Sequence, residues 1–542
     1  MTCTDHDPRT GDGRETALIG NAGRRGTARA SRRGVLLGVG ATVAGAAAAE
    51  VLGQGPAAAA PSRTDPAGSD VPAVRVGPDD PRYQTLSTGF NQRFVGTPAY
   101  VAVVTTPEQC RRAVQAAIDQ GRRITVRGGG HCYEGFVSDN PGGVIIDVSG
   151  MRAVTQRRDG AVGLQGGCTN WDVYEVLYKS YGVTIPGGSC DSVGLGGHVV
   201  GGGYGLLSRE HGLTVDYLDA VDVIVVDRAG RAQVVTARRG DPRTGDLFWA
   251  HTGGGGGTFG VITAYWFRDL PAPPQNVQIA NTTWPWSRLD AQSFATLVRN
   301  FGRWLVTNSA PDSPARRLFG VLRLSHVAAG AVTMTTQVSG SDGALLASFL
   351  AALDAGMPAA ARPTTSVRVM PWLQATKTLS FSGPYQRGKY KSAYMRQPFP
   401  DRQVAAIHAA LNDPGYSNPQ ALLQVDTYGC RVNAVAPDAT AVPQRSSIMK
   451  LQYQTYWIDP AEDATHLAWI RNFYRSVYAD TGGQPVPNQV TDGCYVNYPD
   501  VDLTDWEHLY FKQGYPRLQA VKARWDPQNR FRHAQSVRPP SR

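Results

Sequence analysis

Two glycine-rich motifs each place a nucleophilic side chain next to glycines, whose backbone adopts conformations that other residues rarely can. Residues 127–133 are Arg-Gly-Gly-Gly-His-Cys-Tyr, and residues 187–190 are Gly-Gly-Ser-Cys. Because glycine has no side chain, its backbone amides can approach a ligand closely, and the motifs add the imidazole of His131 and the thiol of Cys190. Either motif alone is more typical of a glycine turn with a hydrogen-bonded histidine or a buried cysteine. Together they favour a ligand site.

Two further stretches are too rich in glycine to be ordinary core elements. Residues 194–205 contain several glycines around His198 and Tyr204, and residues 253–257 are five consecutive glycines. A flexible linker is rarely flanked by Leu-Phe-Trp on one side and Phe-Gly-Val-Ile on the other, as this run is. A dinucleotide-binding βαβ fingerprint also fits poorly, because it needs an acidic residue about twenty positions further on.

Polar residues occupy alternate positions of segments that otherwise look like apolar strands. Gln424 and Asp426 are two residues apart in one such segment, and Lys450 and Gln452 in another. Alternate residues of a strand share a face, so each pair would project into one cavity. A half-exposed strand has the same pattern, and each pair alone leaves both interpretations open.

These motifs resemble those of the berberine bridge enzyme-like flavin oxidases, which have the vanillyl-alcohol-oxidase type of FAD-binding fold. The resemblance extends from about residue 81 to residue 540 and implies one FAD, attached bicovalently. His131 would bond to the 8α-methyl carbon of the flavin ring and Cys190 to its C6 position. The glycine run at 253–257 would pack against FAD near the pyrophosphate, where exposed amides suit phosphate oxygens. The implied cofactor-binding residues are His131, Cys190, Arg127, Gly128, Gly129, Gly130, Gly196, Gly197, Gly260 and Val261.

The resemblance also implies a substrate site on the open side of the flavin. In carbohydrate-oxidising members, a strand with Gln-x-Asp, a neighbouring strand with Gln and a Tyr-x-x-Tyr turn line this side. Gln424 stands where berberine bridge enzymes proper have a glutamate base, and this departure argues against the plant alkaloid chemistry. The implied substrate-binding residues are Tyr133, Gln424, Gln452, Tyr428, Tyr495 and Lys450.

The reaction that we expect is oxidation of a carbinol or hemiacetal carbon of a sugar, by hydride transfer to the flavin with loss of the hydroxyl proton. This chemistry needs a proton acceptor near the reacting oxygen. Tyr498 is the predicted base, and because a phenol has an ordinary pKa of about 10, Asp426 is predicted to assist it through a hydrogen bond. Tyr204 is a competing base, by resemblance to the monolignol-oxidising members, where Lys450 and Gln452 would assist it.

The electron acceptor is predicted from one position after the flavin-linked cysteine. In the family that the sequence resembles, the residue three positions after the flavin-linked cysteine influences the access of oxygen to the flavin. Leucine at this position hinders the access, and smaller residues allow it. Val193 occupies this position, which predicts an oxidase that reduces O2 to hydrogen peroxide. Packing alone is the ordinary role of a single valine.

The substrate is expected to be large, because two covalent links can hold a flavin over a wide, open site. The expected substrate is an oligosaccharide or a glycosylated natural product. Within the enzyme class, the rival to a sugar oxidase is a tailoring oxidase of a glycosylated antibiotic, of the aclacinomycin oxidoreductase type, and the motifs do not separate the two. A secreted protein that holds flavin without turnover is the alternative from another class.

The elements that must position these residues are predicted to form an α+β protein. A two-part FAD-binding domain would comprise residues 75–270 and a returning C-terminal segment, 495–542, and an antiparallel sheet covered by helices would form the substrate domain, 271–494. The alternation of β-branched segments with amphipathic helices, such as strand 100–105, helix 107–120 and strand 123–126, favours layered strands and helices. Residues 171–181 are predicted to form one helix.

The N-terminal residues 1–60 are predicted to be a twin-arginine signal peptide and linker. Arg32 and Arg33 directly precede an apolar, alanine-rich run that is too short for a membrane-spanning helix. Cleavage would follow Ala49 or Ala60. We therefore expect secretion by the twin-arginine machinery, which exports folded protein, and no stable membrane insertion.

Composition excludes several other classes. The formal charge is +10, but no run of Lys and Arg is interleaved with aromatic residues, so nucleic acid is not an expected partner. The ten histidines show no paired ligand spacing, so no metal site is assigned. The seven cysteines fit no zinc pattern. With Cys190 given to the flavin and Cys3 to the signal, a disulfide among the other five stays open.

Overall fold

The computed structural model describes residues 71–380 and 382–541. The predicted signal segment, residues 1–60, lies outside the described residues. Within them the chain forms three β-sheets with helices packed between and over them.

The first sheet positions the histidine motif. Its strands have the order β1–β2–β4–β3, with β2, β4 and β3 parallel and β1 antiparallel at the edge. β3 ends at Arg127, so the glycine loop begins where the strand stops. The predicted strand–helix–strand pattern of this region is confirmed. The strands are β1 (Val74–Val76), β2 (Tyr100–Val103), β3 (Ile124–Arg127) and β4 (Val144–Asp147).

The second sheet is antiparallel and has the order β5–β6–β9–β7–β8. Its central strand β9 begins directly after Gly260, which places the end of the third glycine region beside this sheet. The strands are β5 (Val154–Gln156), β6 (Val162–Gln165), β7 (Leu218–Val226), β8 (Ala232–Arg238) and β9 (Val261–Phe267).

The third sheet is antiparallel and has seven strands in the order β13–β10–β12–β11–β15–β16–β14. One face packs against helices: the ring of Tyr453 on this face contacts Phe473 and Tyr474 of helix α11 (Asp463–Val477). The opposite face carries the polar residues of β15 and β16. The strands are β10 (Asn276–Pro285), β11 (Leu318–Ser325), β12 (Ala331–Ser339), β13 (Thr364–Pro371), β14 (Arg387–Met395), β15 (Leu422–Thr427) and β16 (Met449–Trp457).

The helices begin with clear local signals. Helix α2 starts at Pro107, and the hydroxyl of Thr106 accepts a hydrogen bond from the backbone N–H of Gln109, which caps the helix. The α-helices of the described residues are α1 (Tyr83–Ser87), α2 (Pro107–Asp119), α3 (Asn170–Val176), α4 (Leu195–Val200), α5 (Ser208–His211), α6 (Gly245–Ala250), α7 (Ala291–Asn308), α8 (Ala344–Asp354), α9 (Trp372–Thr378), α10 (Asp401–Leu411), α11 (Asp463–Val477), α12 (Trp506–Phe511) and α13 (Tyr515–Trp525).

One local prediction needs correction. The helix predicted over 171–181 is α3 followed by a π-helical turn at Leu177–Tyr181, which Gly182 ends in the left-handed conformation. Residues 495–498 form a turn, as the resemblance implies, and the Tyr498 N–H closes it by donating to the Tyr495 carbonyl over 2.9 Å.

The C-terminal segment returns to the first sheet. Phe531 forms a parallel bridge with Ile124 of β3. The fully buried Lys522 donates to the carbonyls of Thr258 and Phe531 and pairs with Asp526 over 2.6 Å. One lysine therefore joins the end of the third glycine region to the last part of the chain.

Candidate functional site

A cavity lies where the three glycine regions meet. β3, the N-terminal turn of α4 and the loop before β9 supply its backbone walls. Val193 also faces it and is buried. Val261, in contrast, is fully buried in the hydrophobic core with Ile224, behind Gly260. The predicted cofactor residues that line the cavity are Arg127, Gly128, Gly129, Gly130, His131, Gly196, Gly197 and Gly260, and Gly254, Gly255, Gly256 and Gly257 line it as well.

The loops that bear His131 and Cys190 are in direct contact. A Cβ on Gly129 would lie 2.2 Å from the Gly194 nitrogen, so neither glycine tolerates a side chain while the loops touch. The Nε2 of His131 lies 2.8 Å from the Oγ of Ser192. Cys190 is buried in the same loop, two residues before Ser192. The structure thus brings together the two loops that the sequence singled out.

The cavity has the chemistry that a flavin dinucleotide requires. A Cβ on Gly197 would meet no protein atom within 4 Å, so the open space beside this glycine is available to a ligand. The Arg127 guanidinium is held at the wall by a 2.9 Å ion pair with the fully buried Asp147. Burial lowers the pKa of His131 to about 4, so its imidazole is neutral and nucleophilic near pH 7. These residues fit FAD.

Several cavity residues gave no signal in the sequence. The ring of His533 stacks on Phe136 with a centroid distance of 4.3 Å, and its Nε2 lies 3.0 Å from the Gly256 carbonyl. Both rings line the cavity. The two stacked residues are almost 400 positions apart in the sequence, and no local sequence pattern indicates such a contact.

The predicted polar residues of the third sheet share one patch. In the register of β15 and β16, Gln424 is opposite Gln452 and Asp426 is opposite Lys450. All four side chains are at most 1 % exposed. The Gln424 amide donates to Asp426 over 2.9 Å, and the Lys450 ammonium is 3.6 Å from the Asp426 carboxylate. The prediction that both pairs project to the same side is confirmed.

Lys450 connects this patch to Tyr498 and Tyr204, the two tyrosines predicted as bases. Its Nζ donates a 2.9 Å hydrogen bond to the Tyr498 hydroxyl and lies 4.1 Å from the centre of that ring. The rings of Tyr204 and Tyr495 flank the same ammonium at 4.8 and 4.9 Å. The expected hydrogen bond from Tyr498 to Asp426 is therefore replaced by one to Lys450, which stands between them.

The ring of Tyr133, on which Tyr390 stacks, lies beside the ring of Tyr498. The rings of Tyr133 and Tyr498 are 5.6 Å apart, and the Gln452 amide donates to the Tyr133 hydroxyl over 3.1 Å. Tyr390 stacks on Tyr133 at 3.7 Å. Tyr390 was not among the predicted site residues.

Two of the predicted tyrosines, Tyr204 and Tyr428, donate hydrogen bonds from their hydroxyls to backbone carbonyls. Tyr204 donates to the Thr427 carbonyl, and Tyr428 donates to the Gln444 carbonyl over 3.1 Å. Their rings contact each other at 5.2 Å. Tyr428 therefore packs against Tyr204 and supports the position of its ring.

Burial sets the protonation of the site. It lowers the pKa of Lys450 to about 8, against the opposing effect of the Asp426 carboxylate. It raises the pKa of Asp426 in spite of Lys450, and it raises the pKa values of Tyr498 and Tyr204 well above the ordinary 10.

Among residues 71–380 and 382–541, no cluster of His, Cys, Asp and Glu has a metal-binding arrangement, and no helix is long and apolar enough to cross a membrane. The cysteines for which a disulfide was left open, Cys110, Cys132, Cys168, Cys430 and Cys494, are free thiols.

Comparison with known proteins shows that the chain is similar to FAD-binding oxidases. A family model described as FAD binding domain matches residues 98–235, and one described as Berberine and berberine like matches residues 494–538. Aclacinomycin-N/aclacinomycin-A oxidase of Streptomyces galilaeus is 44 % identical and the alignment covers 94 % of this chain and 98 % of that protein. Hexose oxidase of Chondrus crispus is 38 % identical, with coverage of 86 % and 95 %.

A solved structure agrees with the fold. The glycopeptide hexose oxidase crystallised in complex with teicoplanin has a TM-score of 0.82 and 40 % identity, covering 86 % of this chain and 99 % of that one. The fold and the cavity define an FAD-dependent oxidoreductase with the vanillyl-alcohol-oxidase type of FAD-binding fold. The chain belongs to the berberine bridge enzyme-like family of FAD-linked oxidases, which confirms the resemblance stated from its motifs.

Proposed function

We propose that this protein oxidises a sugar carbinol of a glycosylated natural product to a carbonyl, with O2 as the final electron acceptor and hydrogen peroxide as the second product. The Lys450–Tyr498 hydrogen bond, beside a buried polar patch, is the observation that carries this proposal. Relatives named for aclacinomycin and for a hexose, and the structure with bound teicoplanin, support a sugar-bearing substrate.

The polar patch orients the sugar. Gln424, Asp426 and Gln452 offer amide donors and acceptors and a carboxylate on one face of the sheet. A hydroxyl-bearing ring satisfies such buried groups better than an apolar one, because an unpaired buried polar group costs about 1–3 kcal/mol. The Tyr133 hydroxyl, held by Gln452, adds a further contact at the opposite side of the patch.

The proton of the reacting hydroxyl leaves through Tyr498 and Lys450. Tyr498 is a neutral phenol at neutral pH because burial raises its pKa, so it accepts the substrate proton only as it gives up its own. Lys450, 2.9 Å away with a pKa lowered to about 8, receives that proton when its amine is neutral. When bound, the flavin supplies the hydride acceptor.

The cofactor is proposed to be tethered twice, through His131 and Cys190. Support comes from the contact between their loops and from the low pKa of His131, about 4, which leaves its imidazole free to bond to carbon. The electrons then pass to O2, whose access is proposed to depend on the size of Val193 in the cavity wall.

Export is also proposed. Residues 1–60 would direct the folded, cofactor-loaded protein through the twin-arginine machinery, as the Arg32–Arg33 pair before the apolar run indicates. Replacing both arginines by lysine in the producing cell should retain the protein inside, and unchanged secretion would contradict this route.

The test of function is anaerobic mixing of the flavin-loaded protein with separate groups of sugars. Bleaching of the flavin absorbance by a glycosylated aglycone, with hydrogen peroxide formed when air is admitted, supports the proposal. Bleaching only by free hexoses supports a plain sugar oxidase, which the 38 % identical hexose oxidase favours as second candidate. Bleaching by none of them supports a flavin-holding protein without turnover.

A further inference from the structure

Six charged side chains form an ion cluster next to the aromatic residues of the site, and this cluster is buried at its inner end and partly exposed at its outer end. Three are basic and three acidic, so their formal charges cancel. Burying ions is costly unless they are well paired, and apolar packing is often as stable, so the cluster is weak evidence for stability alone. Its members are Lys389, Lys391, Arg471, Glu134, Asp500 and Asp502.

Lys389 is the centre of the inner end of this cluster. It is 1 % exposed, and its Nζ donates to Glu134 and, over 2.7 Å, to Asp500. Burial alone disfavours its ammonium, but the carboxylates of Asp500, Glu134 and Asp502 outweigh that effect and raise its pKa. Lys389 therefore stays charged throughout the neutral pH range.

The two acids that Lys389 joins belong to the segments that bear the facing tyrosines. Glu134 directly follows Tyr133, and Asp500 is two residues beyond Tyr498. The Glu134 carboxylate also accepts from the backbone N–H of Val501, 3.3 Å away. One ammonium thus connects the cofactor loop to the C-terminal segment at the place where their tyrosines meet.

The strand of Lys389 supplies the third aromatic residue. In β14, Lys389 and Tyr390 are neighbours and point to opposite faces. Lys389 enters the ion cluster, while Tyr390 stacks on Tyr133 at 3.7 Å. The position of the strand is therefore fixed from both faces relative to the cofactor loop.

We propose that Lys389 is a positioning residue for the reaction proposed above: by holding Glu134 and Asp500 together it sets the spacing between Tyr133 and Tyr498. Without the ammonium, the two hydrogen bonds that hold Glu134 and Asp500 to one nitrogen atom are lost, and the segments behind these acids move apart. Reaction rates are sensitive to such shifts, since a displacement of about 1 Å can cost about 100-fold.

The outer end of the cluster offers a matched control. Arg471 is 42 % exposed and pairs with Asp502 over 2.8 Å. Its loss removes one cation of the cluster, as does the loss of Lys389, but it breaks only the Asp502 pair and leaves the contacts among Lys389, Glu134 and Asp500 in place. A purely structural role for the cluster predicts similar effects of the two changes on catalysis.

The experiment compares Lys389→Met and Arg471→Met as flavin-loaded proteins. Crystal structures should show the Tyr133–Tyr498 centroid distance, 5.6 Å in the native protein, increased by about 1 Å only in Lys389→Met. With the sugar that reduces the native flavin, the limiting reduction rate should fall about 100-fold in that variant, with little change in the sugar concentration for half-maximal rate. Arg471→Met should keep both at native values. Equal rate losses in the two variants, or a native rate in Lys389→Met, would overturn the proposal.

Two further variants keep the test decisive if Lys389→Met does not fold. Glu134→Gln removes the ion pair between Lys389 and Glu134 at nearly constant shape and should lower the reduction rate, whereas Lys389→Arg retains the charge and should keep more of the rate than Glu134→Gln. The reverse order contradicts positioning by Lys389. If no sugar reduces the native flavin, the proposed function fails, but an unchanged 5.6 Å spacing in Glu134→Gln still counts against the positioning role.

Discussion

Lys450 and Tyr498 are hydrogen-bonded over 2.9 Å although one belongs to strand β16 and the other to a turn of the C-terminal segment. Asp426, on the neighbouring strand, is 3.6 Å from the same ammonium. The pair therefore joins the polar face of the sheet to the last part of the chain, and its two members have pKa values shifted in opposite directions by the same burial.

The first prediction concerns the base. Tyr498→Phe should lower the limiting rate of flavin reduction by about 100-fold or more, the usual size of lost acid–base catalysis, in anaerobic stopped-flow measurements. Tyr204→Phe should have a smaller effect, because the Tyr204 hydroxyl donates to the Thr427 carbonyl and not to Lys450. Near-native reduction in the Tyr498 variant with an inactive Tyr204 variant would assign the base to Tyr204.

The second prediction concerns pH. A Lys450 pKa lowered to about 8 means that its amine becomes neutral as pH rises through 8, and only the neutral amine accepts the proton from Tyr498. The limiting reduction rate should therefore be low at pH 6 and rise to a plateau above about pH 9. In Lys450→Met, the rise of the rate through pH 8 should be absent, and most of the rate should be lost. A rate that falls through pH 8 would show instead that the ammonium is the active form.

The third prediction concerns attachment. After acid precipitation, His131→Ala and Cys190→Ala should each keep the yellow flavin with the protein pellet through the remaining bond. The double variant should release it into the supernatant. Mass mapping of flavin peptides checks the assignment. Loss of all covalent flavin in one single variant would mean that the other residue forms no bond.

The fourth prediction concerns oxygen. Val193 is buried in the cavity wall, and Val193→Leu should slow reoxidation of reduced flavin by at least about tenfold, an effect of about 1.4 kcal/mol on the barrier. The reductive rate, measured without oxygen, is the internal control and should not change. Equal slowing of both half-reactions would indicate a displaced cofactor and not obstructed oxygen.

The fifth prediction concerns the flavin cavity. Gly197→Leu should fold, because a Cβ there meets no protein atom within 4 Å, but its side chain would fill space that the cofactor needs. Overpacking costs about 1–3 kcal/mol, so purified protein should carry about tenfold less flavin per chain. Gly77→Leu, whose Cβ also meets nothing within 4 Å, is the matched control and should keep its flavin.

The sequence alone predicted the parts of the site that depend on local patterns. Glycine loops and the period-two alternation of β15 and β16 are local signals, so the loop of His131 and the patch around Asp426 could be placed in advance. The register that puts Asp426 opposite Lys450 depends on cross-strand pairing, which the sequence of one strand does not contain.

Interactions between distant segments were not predictable in this way. Tyr498 was expected to bond to Asp426, but Lys450 occupies the space between them because its long side chain spans the gap. The stacking of Tyr390 on Tyr133 joins positions more than 250 residues apart. Such contacts follow from how sheets pack together and leave no periodic trace in the sequence.

The return of the C-terminal segment has a consequence for biosynthesis. The cavity residues 531–533 follow Gly260 by about 270 positions, so a ribosome must synthesise the seven-stranded sheet between them before the flavin cavity can close. A translation product that stops before residue 531 would lack part of the cavity wall.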